Sequence, residues 1–245
     1  MRAVLCLLLL TGCATPATHP APAGAVMPFS AGTAGSALPP AWQPLIISRA
    51  KSPTEYRLVR DPLGGEVVLH ATADSSASGL RQRLAVDPNQ FPIVRWRWRV
   101  IELIVGADNQ DRYSEDSPVR LMLFFDGDKG TLPLKERLLM ETAQLLTGEA
   151  PPFATLMYIW ENRFPVDTVL ASSYTDQIQM IVAGSGRDAN LGEWKILERN
   201  YFDDYWRVFG DPPGQLIGVG IMTDTDNTGE RIEAFYGDIE LRRGH

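Results

Sequence analysis

The sequence predicts an all-β protein, an antiparallel β-sandwich of the jelly-roll type with two short helical insertions. About ten short segments rich in β-branched and aromatic residues are separated by clusters of Gly, Pro, Asn and Asp. The regular alternation of strands and helices that indicates a parallel sheet is missing. One segment, residues 94–100, alternates strictly between apolar residues and arginine, as a strand with one buried face does.

The start of the chain resembles the signal of a bacterial lipoprotein. Met1 and Arg2 precede an unbroken apolar run over residues 3–10, which is too short to cross a bilayer and is typical of a signal-peptide core. The run ends in Leu-Thr-Gly-Cys, which resembles the lipobox, whose cysteine receives diacylglycerol before the chain is cut. We therefore expect a signal peptide over residues 1–12 and lipid on Cys13. The alternative is an ordinary secretory signal that is cut elsewhere.

Several acyl chains on Cys13 would anchor the protein to a membrane almost permanently. The next residue is Ala14, not the aspartate that retains such lipoproteins at the inner membrane, so we expect an outer-membrane anchor facing the periplasm. Residues 13–28 are rich in Ala, Pro and Thr and predict a tether. Residues 29–245 predict one domain, because no composition break divides them.

Composition limits the classes of partner. The net charge of −7 argues against nucleic acid and against electrostatic adhesion to anionic lipid. Cys6 and Cys13 are the only cysteines, and the first would be discarded with the signal while the second carries lipid. The domain must therefore be stabilised by its core without a disulfide. The sequence does not indicate an oligomeric state.

The strands are expected in the following order. Residues 55–60 and 66–73 predict a hairpin, because the Asp-Pro-Leu-Gly-Gly between them is typical of a turn. Eight further segments have strand composition: 79–86, 93–101, 119–125, 155–160, 177–183, 194–199, 216–222 and 232–241.

Two helices are expected between strands. Residues 134–146 carry leucines near helical spacing, with Pro133 at the start and Gly148 after the end. Residues 201–209 follow Asn200, a plausible N-cap, and precede a glycine.

The alternating strand offers a first candidate site. Its Val and Trp side chains must face the core, because burying three unpaired guanidiniums is prohibitive. Arg95, Arg97 and Arg99 then share the other face, where forked donors suit a carboxylate or phosphate ligand. Arg120, together with arginines at 81 and 83, could join them from neighbouring strands. The alternative, which we favour, is a solvated face whose arginines pair with Asp and Glu across the sheet.

The segment 223–230 reads Thr-Asp-Thr-Asp-Asn-Thr-Gly-Glu, which resembles the first half of a calcium loop. An EF-hand requires Glu at the twelfth position, and counting from Asp224 that position is Phe235. An EF-hand is therefore excluded, although Asp224, Asp226 and Asp238 could still hold a hard cation such as calcium. The alternative is a polar hairpin turn between two strands. No other cofactor is indicated.

Aromatic side chains offer a third reading. An exposed ring such as Trp160 stacks on the apolar face of a sugar, whereas most such rings fill a sandwich core. The sequence contains no common catalytic motif. The three histidines, at 19, 70 and 245, form no zinc motif, and no nucleophile elbow occurs. A catalytic pair of carboxylates of the glycosidase type stays an alternative, because the sequence does not give the distance between two carboxylates.

Several motifs together resemble the bacterial domain-of-unknown-function family numbered 3047. They are Trp-Arg-Trp at 96–98, Asp-Ser-Pro-Val-Arg at 116–120, Tyr-Ile-Trp at 158–160, the segment 199–210, the aspartate-rich segment 222–229 and Tyr-Gly-Asp-Ile at 236–239. The resemblance implies an envelope or secreted protein and supplies no activity. More weakly, the last strand resembles that of galactose-binding-like carbohydrate modules, a likeness of fold that says little about function.

These observations favour a non-catalytic module on a lipid tether that binds an envelope glycan or a similar polar or anionic ligand. One alternative is a hydrolase or lyase that acts on polysaccharide through paired carboxylates. A further alternative is an assembly lipoprotein that binds another protein, which predicts a large exposed apolar patch.

Overall fold

The computed structural model describes residues 25–186 and 190–244. Two α-helices, α1 (Leu134–Thr147) and α2 (Tyr201–Phe209), lie among twelve strands of that part of the chain. In chain order the strands are β1 (Gln43–Leu45), β2 (Glu55–Arg60), β3 (Val67–Asp74), β4 (Ala77–Val86), β5 (Ile93–Val100), β6 (Ser117–Phe125), β7 (Ala154–Glu161), β8 (Val169–Ala171), β9 (Ile178–Ser185), β10 (Lys195–Asn200), β11 (Leu216–Asp224) and β12 (Arg231–Arg242).

The strands form two sheets packed face to face, so the predicted all-β sandwich is confirmed. The larger sheet has the order β1-β4-β11-β6-β7-β9-β8, and the smaller has the order β10-β5-β12-β3-β2. One pairing departs from the expected antiparallel pattern, because β7 and β9 run parallel. After β7 the chain first forms the edge strand β8, and β9 then lies between β8 and β7. Because β9 runs antiparallel to β8, it runs parallel to β7.

All ten predicted strands are present, with ends that differ by at most two residues. The expected hairpin is formed by β2 and β3, which pair antiparallel. Two strands were missed, β1 and β8, each only three residues long and each at an edge of the seven-stranded sheet. An edge strand of this length leaves no alternating pattern in the sequence.

The core lies between the sheets, and β5 contributes two of its largest side chains. Trp96 and Trp98 are buried there, as the alternation predicted. The segment before β1 also belongs to the domain, because Phe29 is buried and its ring stacks on Trp42 at 4.8 Å between centroids. The core therefore closes without a disulfide among the described residues, which contain no cysteine.

Both helices begin and end where local chemistry predicts. Gly148 and Gly210 adopt positive φ, 83° at each, immediately after α1 and α2. The Asn200 side chain accepts a hydrogen bond from the backbone N–H of Asp203 and caps α2. No described helix is long and apolar enough to span a membrane.

The segment between β11 and β12 is not the expected hairpin turn, because these strands belong to different sheets. It crosses from one sheet to the other, and Gly229, with φ of 73°, donates its N–H to the carbonyl of Thr225 at 2.9 Å. Local turn chemistry looks the same in a hairpin and in a crossover, so the sequence did not separate them. Cys13 and the tether up to residue 24 lie outside the described residues.

Candidate functional site

A groove of about 480 Å³ lies on the outer face of the seven-stranded sheet, beside the segment that follows α1. Strands β4 and β11 run side by side beneath it. Its lining combines apolar and charged groups, chiefly Leu45, Arg81, Arg83, Phe124, Glu149 and Pro152. Ligand sites have this mixture of an apolar surface and a few convergent polar groups.

Strand alternation places the two arginines in the groove. Leu80 and Gln82 are buried, so Arg81 and Arg83, which alternate with them along the strand, point to the outer face. Across the sheet they stand opposite two glycines, with Arg81 paired to Gly220 and Arg83 to Gly218. Because neither partner has a side chain, β11 leaves a shallow trough beside the guanidiniums, and a neighbouring ring packs against its glycines.

The ring of Phe124 forms an aromatic surface next to this trough. A Cβ built on Gly220 would lie 3.0 Å from two of its ring carbons, and one built on Gly218 would lie 3.2 Å from a third. The glycines are therefore what allows the ring to lie this close to the backbone of β11. The ring is partly buried and lines the groove.

The charges in the groove are not balanced. Arg81 and Arg83 both bind the same carboxylate oxygen of Glu149, with the Arg83 contact at 3.4 Å. The hydrogen bond from Arg81 lowers the pKa of the Glu149 carboxyl below its ordinary value. The buried Nε of Arg81 has no hydrogen-bond partner within the described part of the chain. Two guanidiniums thus share one carboxylate, and one buried donor of Arg81 lacks a partner.

The arginines of β5 lie together on the outer face of the five-stranded sheet, as expected, but they are engaged there. Arg97 pairs with Glu66, and Arg99 pairs with Asp61 at 3.3 Å. Arg95 stands directly between two acidic residues on the neighbouring strands β10 and β12. This arrangement matches the alternative that we favoured, a face on which arginines pair with acids across the sheet.

An aromatic ring fills the space between two of these arginines. The Trp194 ring lies 4.5 Å from the guanidinium of Arg97 and 5.3 Å from that of Arg99. Its Nε1 donates to Asp61 at 2.7 Å. The ring and both cations are thereby held by contacts within the protein.

Two residues of the predicted ligand-binding set do not belong to this face. Arg120 lies on β6, in the other sheet, and is buried. Trp160 is only 2% exposed and packs in the core, because strand alternation turns it inward with Tyr158. The structure therefore does not bring Arg95, Arg97, Arg99, Arg120 and Trp160 into one site, and Trp160 offers no ring to a sugar.

The aspartate-rich segment contributes to a cluster of carboxylates with a different membership. Oxygen atoms of Asp116, Asp224 and Asp226 lie within 4.8 Å of one another. Asp238 is elsewhere, accepting a hydrogen bond from the backbone N–H of Ser30 at 3.0 Å. The predicted metal set must be corrected accordingly, since Asp116 precedes β6 and takes the place of Asp238.

Each carboxylate of the cluster already has a partner. Asp224 receives Nε and Nη2 of Arg120, and Asp226 contacts the Nζ of Lys51 at 2.6 Å. Asp116 accepts the backbone N–H of Thr228 at 2.7 Å. The oxygen ligands suit calcium in type, but the protein's own cations already neutralise two of the three carboxylates.

Burial raises the pKa of the Asp224 carboxyl to about 6, although the Arg120 guanidinium acts to lower it. The carboxylate is paired with that guanidinium through two hydrogen bonds. Its backbone contact is the N–H of Ser117 at 3.2 Å. The network joins β6, β11 and the crossover at one end of the sandwich.

From the sequence, Arg81 and Arg83 were expected only as possible additions to the arginine face of β5, which belongs to the other sheet. The signals were present: Arg-Gln-Arg at 81–83 alternates as a strand does, and so do the glycines at 218 and 220. What the sequence did not give was the pairing of β4 with β11, which sets these two patterns opposite each other. Glu149 comes from a loop and carries no local signal.

Solved structures with a similar arrangement come from larger proteins. They include the enzymatically active domain of tailspike protein 4 of bacteriophage CBA120 (7% identity, TM-score 0.37, 84% of this chain and 20% of that one). The glycoside hydrolase domain of Endo-D from Streptococcus pneumoniae R6 matches at 7% identity and a TM-score of 0.33, over 83% of this chain and 22% of that one. A β-1,2-glucanase from Parabacteroides distasonis matches at 11% identity and a TM-score of 0.36, over 83% of this chain and 23% of that one.

This chain thus spans about a fifth of each of those proteins, and likenesses at these TM-scores carry no argument about function. Comparison with curated protein sequences gives no match. The sequence profile of one family does match, over residues 40–240, which is most of the chain and includes every residue of the groove. The chain therefore belongs to the family described as protein of unknown function (DUF3047).

Proposed function

We propose that this protein is a lipid-anchored envelope protein whose domain binds an acidic glycan, without catalysis, in the groove on the seven-stranded sheet. One observation carries the proposal: Arg81 and Arg83 stand beside the ring of Phe124 across a glycine-lined trough. A carboxylated sugar has the two matching features, an apolar ring face and an anionic group.

The charge balance of the groove supports an anionic ligand. One oxygen of Glu149 contacts both guanidiniums, and the Arg83 contact is long at 3.4 Å. A ligand carboxylate that takes over Arg83 would gain a charge-assisted hydrogen bond while Glu149 keeps Arg81. Arg83 is well placed for this exchange because its side chain is 71% exposed.

The hydrolase alternative receives less support from the carboxylates that converge. Asp116, Asp224 and Asp226 are held by Lys51, Arg120 and backbone N–H groups. A general acid and a general base must both be free to reach a sugar. The groove supplies one carboxylate, Glu149, and that group is paired with arginine.

The envelope location rests on the signal-like start of the chain and on Cys13. Replacing Cys13 with Ser should abolish incorporation of labelled palmitate, because the thioether that lipidation requires cannot form. Palmitate incorporation is the right measurement, since it reports on the covalent lipid and not on other causes of membrane association. Undiminished labelling of Cys13→Ser would refute the anchor and leave the glycan proposal standing.

Calorimetric titration with acidic and neutral oligosaccharides tests the groove. Arg83→Gln should weaken binding of a uronic-acid oligosaccharide roughly 10-fold to 100-fold, since a charge-assisted hydrogen bond contributes about 1.5–3 kcal/mol. Arg97→Gln is the matched control, because Arg97 is also paired with a glutamate but lies on the opposite sheet. It should leave the affinity unchanged.

The outcomes separate the two faces. Loss of affinity in Arg83→Gln alone supports the groove. Loss in Arg97→Gln alone moves the site to the five-stranded sheet and overturns the groove. Equal affinity for acidic and neutral oligosaccharides would contradict recognition of the carboxylate.

A further inference from the structure

A hollow of about 260 Å³ lies on the outer face of the five-stranded sheet, where β5 runs between β10 and β12. Roughly nine waters would fill it at about 30 Å³ each, which is the size of a small organic ligand. Its lining is mostly charged and consists chiefly of Glu66, Arg95, Arg97, Ile196, Asp238 and Glu240. Because it lies on the other sheet, it is separate from the groove between β4 and β11.

Arg95 is the one arginine of β5 that has no acidic partner in the described part of the chain. In the register of the sheet it stands between Glu198 and Glu240. Both of these carboxylates are bound instead by Arg242, at 3.1 Å for Glu198 and 2.6 Å for Glu240. The guanidinium of Arg95 makes no hydrogen bond or ion pair with any described residue, although Arg95 is partly buried. Its planar fork of donors therefore faces the hollow without a protein partner.

Asp238 is an anion of the same hollow that also has no partner of opposite charge. The register of β12 against β5 shifts between Tyr236 and Ile239, and this β-bulge places Asp238 in the lining. The carboxylate accepts hydrogen bonds from the backbone N–H and the hydroxyl of Ser30, which are neutral groups. It forms no ion pair with any cation among the described residues. The negative charge is therefore held in position but is not neutralised.

The other charges of the hollow are paired within the protein. Arg97 pairs with Glu66, and Glu240 pairs with the nearby Arg242. One cation and one anion remain, Arg95 and Asp238, and they form no ion pair with each other. A ligand with only a negative charge would be repelled by Asp238, and a ligand with only a positive charge would be repelled by Arg95. A ligand that carries one group of each sign complements both.

We propose that the hollow binds a small zwitterion, an α-amino acid, whose carboxylate meets Arg95 and whose ammonium group meets Asp238. A guanidinium recognises a carboxylate with two parallel hydrogen bonds, which suits the unpaired fork of Arg95. Ile196, on the edge strand β10, is 59% exposed and offers an apolar contact to an aliphatic side chain of the ligand. The proposal is independent of glycan binding, because no residue of the groove takes part in it.

Equilibrium dialysis of the full chain against radiolabelled glycine, alanine and leucine tests the proposal. Unlabelled N-acetyl-leucine and leucine amide then serve as competitors, because the first lacks the ammonium group and the second lacks the carboxylate. Each should compete at least about 10-fold more weakly than leucine, since each loses one charge-assisted hydrogen bond. If N-acetyl-leucine competes as well as leucine, the hollow is an anion site, and if leucine amide does so, it is a cation site. Either result overturns the proposal.

Two variants locate the bound amino acid. Arg95→Gln and Asp238→Asn should each weaken leucine binding at least about 10-fold, and Asp238→Asn keeps an oxygen for the hydrogen bonds from Ser30. Arg57→Gln is the matched control, because Arg57 is exposed on the same sheet and pairs with Glu55 but does not line the hollow.

The melting temperature of each variant shows whether its fold is retained, and the competitors decide the charge requirement even where a variant does not fold. Arg83→Gln should leave leucine binding unchanged, and a loss of binding there would move the amino acid to the groove and overturn the proposal. Failure of all the labelled amino acids to bind the unaltered protein also overturns it, as does unchanged affinity in Arg95→Gln. None of these results bears on glycan affinity in the groove.

Discussion

Arg120 and Asp224 form a two-armed ion pair inside the seven-stranded sheet, with Nε–Oδ1 and Nη2–Oδ2 distances of 2.9 and 3.0 Å. Both residues are buried. They lie on the adjacent strands β6 and β11, and Arg120 also donates to the carbonyl of Glu115 at 3.0 Å. Water cannot replace either partner, so each charge depends on the other for its stabilisation.

Removing one partner of this pair should be strongly destabilising. We expect Arg120→Ala to lower the free energy of unfolding by about 3–5 kcal/mol, because it leaves the Asp224 carboxylate buried without a cation. Urea unfolding at pH 7 measures this change. Arg97→Ala is the control, since its pair with Glu66 is partly solvated and should contribute at most about 1 kcal/mol. Equal losses in both variants would contradict the importance of burial.

Four buried tyrosines and one partly buried tyrosine should make the protein sensitive to high pH. Burial raises the pKa of Tyr205 to about 12, and burial also raises the pKa values of the other four: Tyr56, Tyr158, Tyr201 and Tyr236. In the unfolded chain these phenols ionise near pH 10, so between pH 10 and 12 the native state binds more protons than the unfolded state. Stability therefore falls as pH rises through this window.

Absorbance at 295 nm and circular dichroism, recorded together during an alkaline titration, test this expectation. Phenolate absorbance from the buried rings should appear in one cooperative step that coincides with loss of the folded signal. A gradual rise in absorbance that reaches all of the tyrosines before unfolding begins would show that the buried rings ionise within the native state.

If the groove binds an anionic ligand, Glu149 competes with that ligand for the same guanidiniums. Glu149→Gln removes that competitor's charge, so we expect affinity for an acidic oligosaccharide to rise roughly 3-fold to 10-fold, which corresponds to about 1 kcal/mol for an exposed pair. Calorimetric titration measures the change. Glu66→Gln, which removes the acid beside Arg97 on the other sheet, is the control and should not alter affinity. A weaker complex in Glu149→Gln would mean that Glu149 itself holds the ligand.

The fold was largely predictable because its signals are local. The alternation around Trp96 and Trp98 assigned a buried and an outer face to β5, and Gly148 and Gly210 marked the helix ends. Pairing between strands is not local. Whether the segment after Asp224 turns back in its own sheet or crosses to the other depends on contacts with residues far away in sequence.

The candidate site was less predictable for the same reason. The arginines of β5 form the most conspicuous pattern in the sequence, and their acidic partners come from distant segments, such as Asp61 and Glu66. The groove arginines are unremarkable until β11 places Gly218 and Gly220 opposite them. The sequence shows the charge of a residue but not the partner that neutralises it.

The carboxylate cluster gives a last prediction, about calcium. Because Lys51 and Arg120 already neutralise two of its three carboxylates, we expect calcium to leave the melting temperature of the protein unchanged. Lys51→Ala frees Asp226, which then offers an oxygen beside Asp116 and Asp224. In that variant calcium should raise the melting temperature, since a ligand that binds only the native state stabilises it by RT ln(1 + [L]/Kd).

Thermal unfolding with calcium and with chelator measures the effect, and about 2–4 °C is expected for each kcal/mol of binding. Lys129→Ala is the control, because Lys129 donates to the carbonyl of Pro151 and takes no part in the cluster. A calcium shift in the unaltered protein would mean that the metal displaces the Lys51 ammonium. No shift in Lys51→Ala would mean that the remaining pair of Arg120 with Asp224 is sufficient to exclude it.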